Sequence, residues 1–171
     1  MIEQKMARRV FISFAYEDRE QVSGFILMSK NPNIELEFVG RHLLAPVESE
    51  DPNYIKRRIA ELMDGTSVLV CLLGQTTARS DWVDYEIRKA LSDGKGVVGI
   101  KLKGQNGAPI PPALEEADVE VIDWDPSRLA QAIERAALIA GRPPLGPSTT
   151  TGSRNLGGGC RRETVARAAP R

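Results

Sequence analysis

Ser67-Val68-Leu69-Val70-Cys71-Leu72-Leu73 is the stretch on which the fold turns. After its first residue the run is continuously apolar. A strand with one wet face alternates, whereas an unbroken run of this length is covered on both faces, as central strands of parallel sheets are. Upstream lies a helical stretch with Pro52 in its first turn and Tyr54, Ile55, Ile59, Leu62 and Met63 on one side. Downstream, the loop Gly74 to Ser80 leads to a helix that starts near Asp81, its expected N-cap, and closes at Gly94. Strand-then-helix spacing on both sides of the run is the pattern of a parallel α/β sheet.

The same alternation extends to both ends of residues 9–141. Toward the N-terminus, a strand Arg9 to Phe14 precedes a helix from about Asp18 to Lys30 carrying Val22, Phe25, Ile26 and Met28, with Asn31-Pro32-Asn33 as its stop. An alternating strand, Ile34 to Val39, and a long loop, Gly40 to Asp51, follow. Toward the C-terminus come a strand Gly96 to Leu102, a Gly/Pro-rich loop through Pro112, a short strand Val119 to Trp124 and a helix Pro126 to Ala140 capped by Asp125. Five such units predict a flavodoxin-like three-layer α/β sandwich, with a five-stranded parallel sheet of order 2-1-3-4-5 and helices on both faces. Ligands of such sheets sit beyond the carboxyl ends of the strands, between strands one and three. The loops Ala15 to Asp18 and Gly74 to Asp81 are therefore where chemistry is expected.

The chain has 171 residues, 42% hydrophobic and 27% charged, enough for one soluble domain over 9–141 and a tail over 142–171. Formal charge is +0, which removes the simplest argument for nucleic-acid binding. Six Arg and one Glu fall within 142–171, so an acidic body carries a basic tail. Pro143, Pro144, Pro147, the polar run Ser148 to Ser153 and Gly157 to Gly159 leave that tail too little apolar surface to offset ordering entropy. It reads as disordered, either a solvated extension or an electrostatic tether. Cys71 and Cys160 are too few for a disulfide framework, His42 is the sole histidine, and no spacing suggests a metal site. The N-terminus has no apolar targeting core and no apolar run approaches the ~20 residues of a membrane span, so a cytoplasmic protein with no membrane partner is expected.

Several chemistries of this architecture are missing. A phosphoreceiver would place an acidic pair after strand one and an Asp at the end of strand three, where this chain has Ser13-Phe14 and Leu73-Gly74. No phosphate-cradling glycine loop, no GxSxG elbow and no Ser/His/Asp set occurs in the body. What remains is Thr76-Thr77-Ala78-Arg79-Ser80-Asp81-Trp82-Val83-Asp84-Tyr85-Glu86. Helical spacing puts Val83, Ile87, Ala90 and Leu91 toward the sheet and Trp82, Glu86 and Lys89 on the adjacent stripe, so Glu86 falls at the core margin near the crevice. There it either touches a ligand or is an ordinary helix residue paired with Lys89, and Trp82 either stacks on a ligand or packs over the sheet rim. Asp18 reads most simply as an N-cap and Ser13 as a strand-end polar residue.

Val10-Phe11-Ile12-Ser13-Phe14 with Asp18, and the Ser-x-Trp-x-x-x-Glu pattern of Ser80, Trp82 and Glu86, resemble the first strand and third-helix motif of Toll/interleukin-1-receptor (TIR) domains. More narrowly, Tyr54-Ile55-Lys56 through Leu73-Gly74, the series Thr77, Ser80, Trp82, Glu86, and Gly94 through Ile100 resemble the TIR-like domains of bacterial Thoeris anti-phage systems. The resemblance implies an enzyme that cleaves the nicotinamide–ribose bond of NAD and releases a cyclic or conjugated ADP-ribose, with NAD as substrate and no further cofactor. It implies Glu86 as the catalytic residue and Ser13, Phe14, Tyr16, Asp18, Ser80 and Trp82 as substrate-binding positions. It also implies self-association through TIR-like surfaces and a downstream effector reached through the small-molecule product. The loop Gly40 to Asp51 departs from the usual TIR assembly loop. A non-catalytic TIR-like interaction module is the alternative, and a nucleotide sensor without turnover is disfavoured by the missing phosphate loop.

Overall fold

The structure is a computed structural model, and it describes residues 8–31, 38–41 and 50–141. The tail 142–171, His42 and the middle of the loop Gly40 to Asp51 lie outside the described residues, as does the expected start of the second strand.

Five strands, β1 (Arg8–Phe14), β2 (Phe38–Arg41), β3 (Val68–Leu73), β4 (Gly96–Lys101) and β5 (Val121–Ile122), form one parallel sheet in the order β2-β1-β3-β4-β5. The helices are α1 (Arg19–Met28), α2 (Pro52–Met63), α3 (Asp81–Ser92), α4 (Pro112–Glu116) and α5 (Pro126–Ile139). Strand alternation sorts the core into two halves. Val10, Ile12, Val70, Leu72, Val98 and Ile100 meet α1 and α5 on one face; Phe11, Leu69, Cys71, Leu73 and Val97 meet α2, α3 and α4 on the other. All six residues of β3 are buried, which is why its sequence has no polar position. The chain leaves β1 for β2 on one side and crosses to β3 on the other, so the carboxyl ends of β1 and β3 flank the switch point.

Local chemistry explains the helix boundaries. Asp51 and Asp125 cap α2 and α5 by accepting from Asn53 N and Ser127 N, each with a proline in the first turn. Gly94, at φ 66°, turns the chain out of α3 into β4, a conformation that costs a Cβ-bearing residue about 1 kcal/mol or more.

Three expectations need correction. The cap of α3 is Ser80, whose hydroxyl accepts from Val83 N, and Asp81 is the first helical residue, because Ser80 holds the extended backbone a cap requires. The Gly/Pro-rich loop ends in the short helix α4, whose Ala113 and Leu114 enter the core, and the strand that follows shrinks to Val121–Ile122. Arg8 begins β1 one residue early and is 2% exposed, its guanidinium donating to Glu134 of α5 at 2.8 Å. That ion pair holds the Glu134 carboxyl below the usual range.

Candidate active site

Glu86 and Ser13 meet at the carboxyl end of β1. Ser13 follows Phe11 on the α3 side of the sheet, and Glu86 lies one turn into α3 on the inward stripe with Val83, Ile87 and Ala90. The Ser13 hydroxyl donates to Glu86 Oε2. Ser13 is 1% exposed and Glu86 7%, so the glutamate lies inside the core edge, deeper than its position beside the apolar stripe predicted. The expected partner Lys89 instead pairs with Asp93 at 2.9 Å. Burial opposes ionisation, and the Ser13 hydrogen bond only partly offsets it, so the Glu86 carboxyl is pushed up to about 7. Cys71 is the register partner of Ser13 on β3, and its thiol is pushed up by burial and by the Glu86 charge.

The first-strand loop adds a second carboxyl. Residues Tyr16–Asp18 form a 3-10 turn, and Asp18 stands at the α1 cap position without making a capping bond from its side chain. The carboxyl turns toward the β3 loop: a Cβ on Gly74 would lie 2.1 Å from Asp18 Oδ2. Among the described residues Asp18 Oδ2 is the single buried side-chain polar atom with no hydrogen-bond partner. Burial, then the Glu17 charge, push this carboxyl up, while the Thr77 hydroxyl pulls it down. Thr77 is itself buried and accepts from Gly74 N at 2.8 Å, closing the turn after β3. Gly74 is thus needed for space and not for a left-handed φ. Gly74→Ala is expected to destabilise by about 2 kcal/mol through overpacking. In the Asp18→Ala background most of that loss should vanish, which a double-mutant cycle by urea denaturation measures; additive losses would mean that the obstacle lies elsewhere.

The other expected positions do not all converge on Glu86. Phe14, next to Ser13 on the strand, points to the opposite face and packs with the α1/α5 half of the core. Tyr16 is 50% exposed, with the Arg19 guanidinium 4.5 Å from its ring centre. Ser80 is committed to capping α3. Trp82 is half-buried at the start of α3, edge-to-face with Tyr85 at 5.9 Å, and Lys56 of α2 stands 5.3 Å above the Tyr85 ring. Thr77 and Gly74 escape a reading by residue chemistry, although Gly-x-x-Thr directly after a buried strand is a turn signal. Among the described residues no group of three or more His, Cys, Asp or Glu is placed to hold a metal, and no helix is long and apolar enough to cross a membrane.

An α/β domain with a parallel sheet that keeps a buried glutamate on the inner face of its third helix, at the switch point, defines the class of protein in hand. The particular family follows from comparison: the sequence model described as "Thoeris protein ThsB, TIR-like domain" matches residues 11–107, more than half of the chain, and the chain belongs to this family. A Bacillus cereus (strain MSX-D12) protein named "Putative cyclic ADP-D-ribose synthase ThsB1" is 31% identical over 101 residues, 57% of this chain. The chain spans about half of that relative's length, 53%.

Proposed function

We propose that this chain, through the domain over 9–141, is an NAD-cleaving enzyme that breaks the nicotinamide–ribose bond and makes a cyclic or conjugated ADP-ribose as an anti-phage signal. The observation that carries the reading is Glu86, held by Ser13 at the carboxyl ends of β1 and β3 in a family that includes a relative named for cyclic ADP-ribose synthesis. Nicotinamide departs from a pyridinium as a neutral molecule and takes the C1′–N electron pair with it. The leaving group therefore needs no general acid, unlike an ordinary glycoside, where two carboxyl groups divide the work. One ionised carboxylate suffices to hold the ribose hydroxyls and stabilise the positive charge that develops at C1′. Capture of that centre by an internal group of ADP-ribose gives a cyclic product and capture by water gives linear ADP-ribose; water, or an internal hydroxyl, gives up its proton to solvent as the new bond to C1′ forms, whereas a ring nitrogen adds through its lone pair. Trp82, one turn before Glu86 on α3, is the aromatic side chain we assign to stack on a base.

The test is incubation of purified protein with NAD, alone and with lysate of phage-infected cells, followed by chromatography and mass spectrometry. Nicotinamide with a cyclic or conjugated ADP-ribose supports the reading in full, and linear ADP-ribose alone restricts it to a plain NAD hydrolase. The near-complete burial of Glu86 favours one second reading, a non-catalytic interaction module in which the glutamate is a structural group. Folded protein that consumes no NAD in either condition would select it. If Glu86 acts ionised, kcat/KM for NAD rises with pH through a midpoint near 7, which a pH–rate series measures; a midpoint below about 5, the free-carboxyl range, would exclude Glu86 as the titrating group.

A further inference from the structure

We propose that Ser13 is a positioning residue and not a substrate contact: its hydroxyl holds Glu86 Oε2 inside the sheet edge and so selects Oε1 as the oxygen presented to ligand. The proposal rests on the functional reading above and sharpens it. Ser13 is 1% exposed and shares its sheet face with Phe11, Leu69, Cys71 and Leu73, so a ligand cannot reach its hydroxyl without entering the core. A serine in so apolar a strand is costly unless its hydroxyl is hydrogen-bonded, and the partner it has is Glu86. The requirement is mutual, because a carboxyl at 7% exposure needs a donor as well.

The two oxygens of Glu86 are not equivalent. Oε2 accepts from Ser13, while Oε1 has no hydrogen-bond partner among the described residues. One oxygen is thus anchored inward and the other left without a hydrogen bond among the described residues. The groups that face Glu86 from the strands beneath it are Ser13 on β1 and the Cys71 thiol on β3, which burial keeps protonated. No charged side chain among the described residues displaces its titration. Ser13 is the one group there that favours the ionised form.

The experiment follows the carboxyl 13C resonance of Glu86 in the full chain across pH, for the wild type, Ser13→Ala and Ser13→Cys, alongside NAD turnover. Loss of a hydrogen bond to the ionised carboxylate moves the midpoint up by about one pH unit in Ser13→Ala. Ser13→Cys, of similar size with a weaker donor, falls between and remains the test should the alanine variant fail to fold. In turnover, Ser13→Ala lowers kcat by about 100-fold, as a loosened catalytic group does, with KM changed by less than about twofold. An unmoved midpoint overturns the proposal. So does a KM raised about tenfold with an unmoved pH profile, which would make Ser13 a substrate contact. A wild type that consumes no NAD defeats the functional reading instead, and the titration still decides whether Ser13 governs Glu86.

Discussion

Glu86→Gln is expected to lower NAD cleavage by about 100- to 1000-fold while leaving a folded protein that is at least as stable as the wild type above neutral pH. The kinetic loss is that of removing a preorganised electrostatic group from a developing charge. Gln keeps the shape and can accept from Ser13 but carries no charge. The stability effect has the opposite sign and comes from burial. In the folded protein Glu86 titrates at about 7, against 4.5 for a free glutamate, so between those values the folded state binds more protons than the unfolded chain. Wild-type stability therefore falls as pH rises from 4.5 through 7, by up to about 3 kcal/mol. The Gln variant lacks this contribution, whereas other groups such as Asp18 keep theirs. Urea denaturation should find the two proteins similar at pH 5 and the variant ahead at pH 8. Turnover within about tenfold of the wild type would falsify the catalytic assignment, and a variant no more stable than the wild type at pH 8 would refute the account of its burial.

The largest expected loss of stability is at Gly96, the first residue of β4. A Cβ there would stand 2.4 Å from the backbone oxygen of Ala136 and 2.6 Å from its carbonyl carbon, so α5 rests directly on the strand. The α5 face turned to the sheet is built for this approach, with Ala132, Ala136 and Ala137 buried along it. Gly96→Ala must push the helix off the sheet, because no rotamer change moves a main-chain carbonyl. A destabilisation of about 3 kcal/mol, at the upper end of overpacking, is expected in urea denaturation. Ala136→Gly should not restore it, since the obstructing atoms are backbone. A change below about 1 kcal/mol would show that α5 slides freely on the sheet.

The two glycines separate what could be read in the sequence from what could not. The unbroken run through Leu73 showed that β3 is covered on both faces, and the punctuation around it located the flanking helices. Residues 8–14 and 68–73 needed only a period of two to divide the core. Glu86 was legible as a candidate but not as a buried one. A helical wheel puts it beside the apolar stripe and a carboxylate defaults to water, whereas its donor Ser13 stands 73 positions away. Ser80 and Asp81 are both good caps, and only the extended backbone at Ser80 chooses between them. The short helix α4 hid in a Gly/Pro-rich stretch because five residues give no periodicity. Phe14 and Ser13 looked like one loop's worth of pocket, and the pleat sends them to opposite faces.

Cys71 gives the sheet a built-in clock. Its sulfur is fully buried on the central strand, opposite Ser13 in the register, and the chain's other cysteine, Cys160, lies outside the described residues. With Cys160 replaced by Ser, an alkylating reagent in native buffer can mark the protein only during the excursions that part the layers around β3. The labelling rate then counts those excursions directly. A ligand that braces the glutamate beside this sulfur would slow the count, so occupancy of the site can be timed without a chromophore, a product or any turnover.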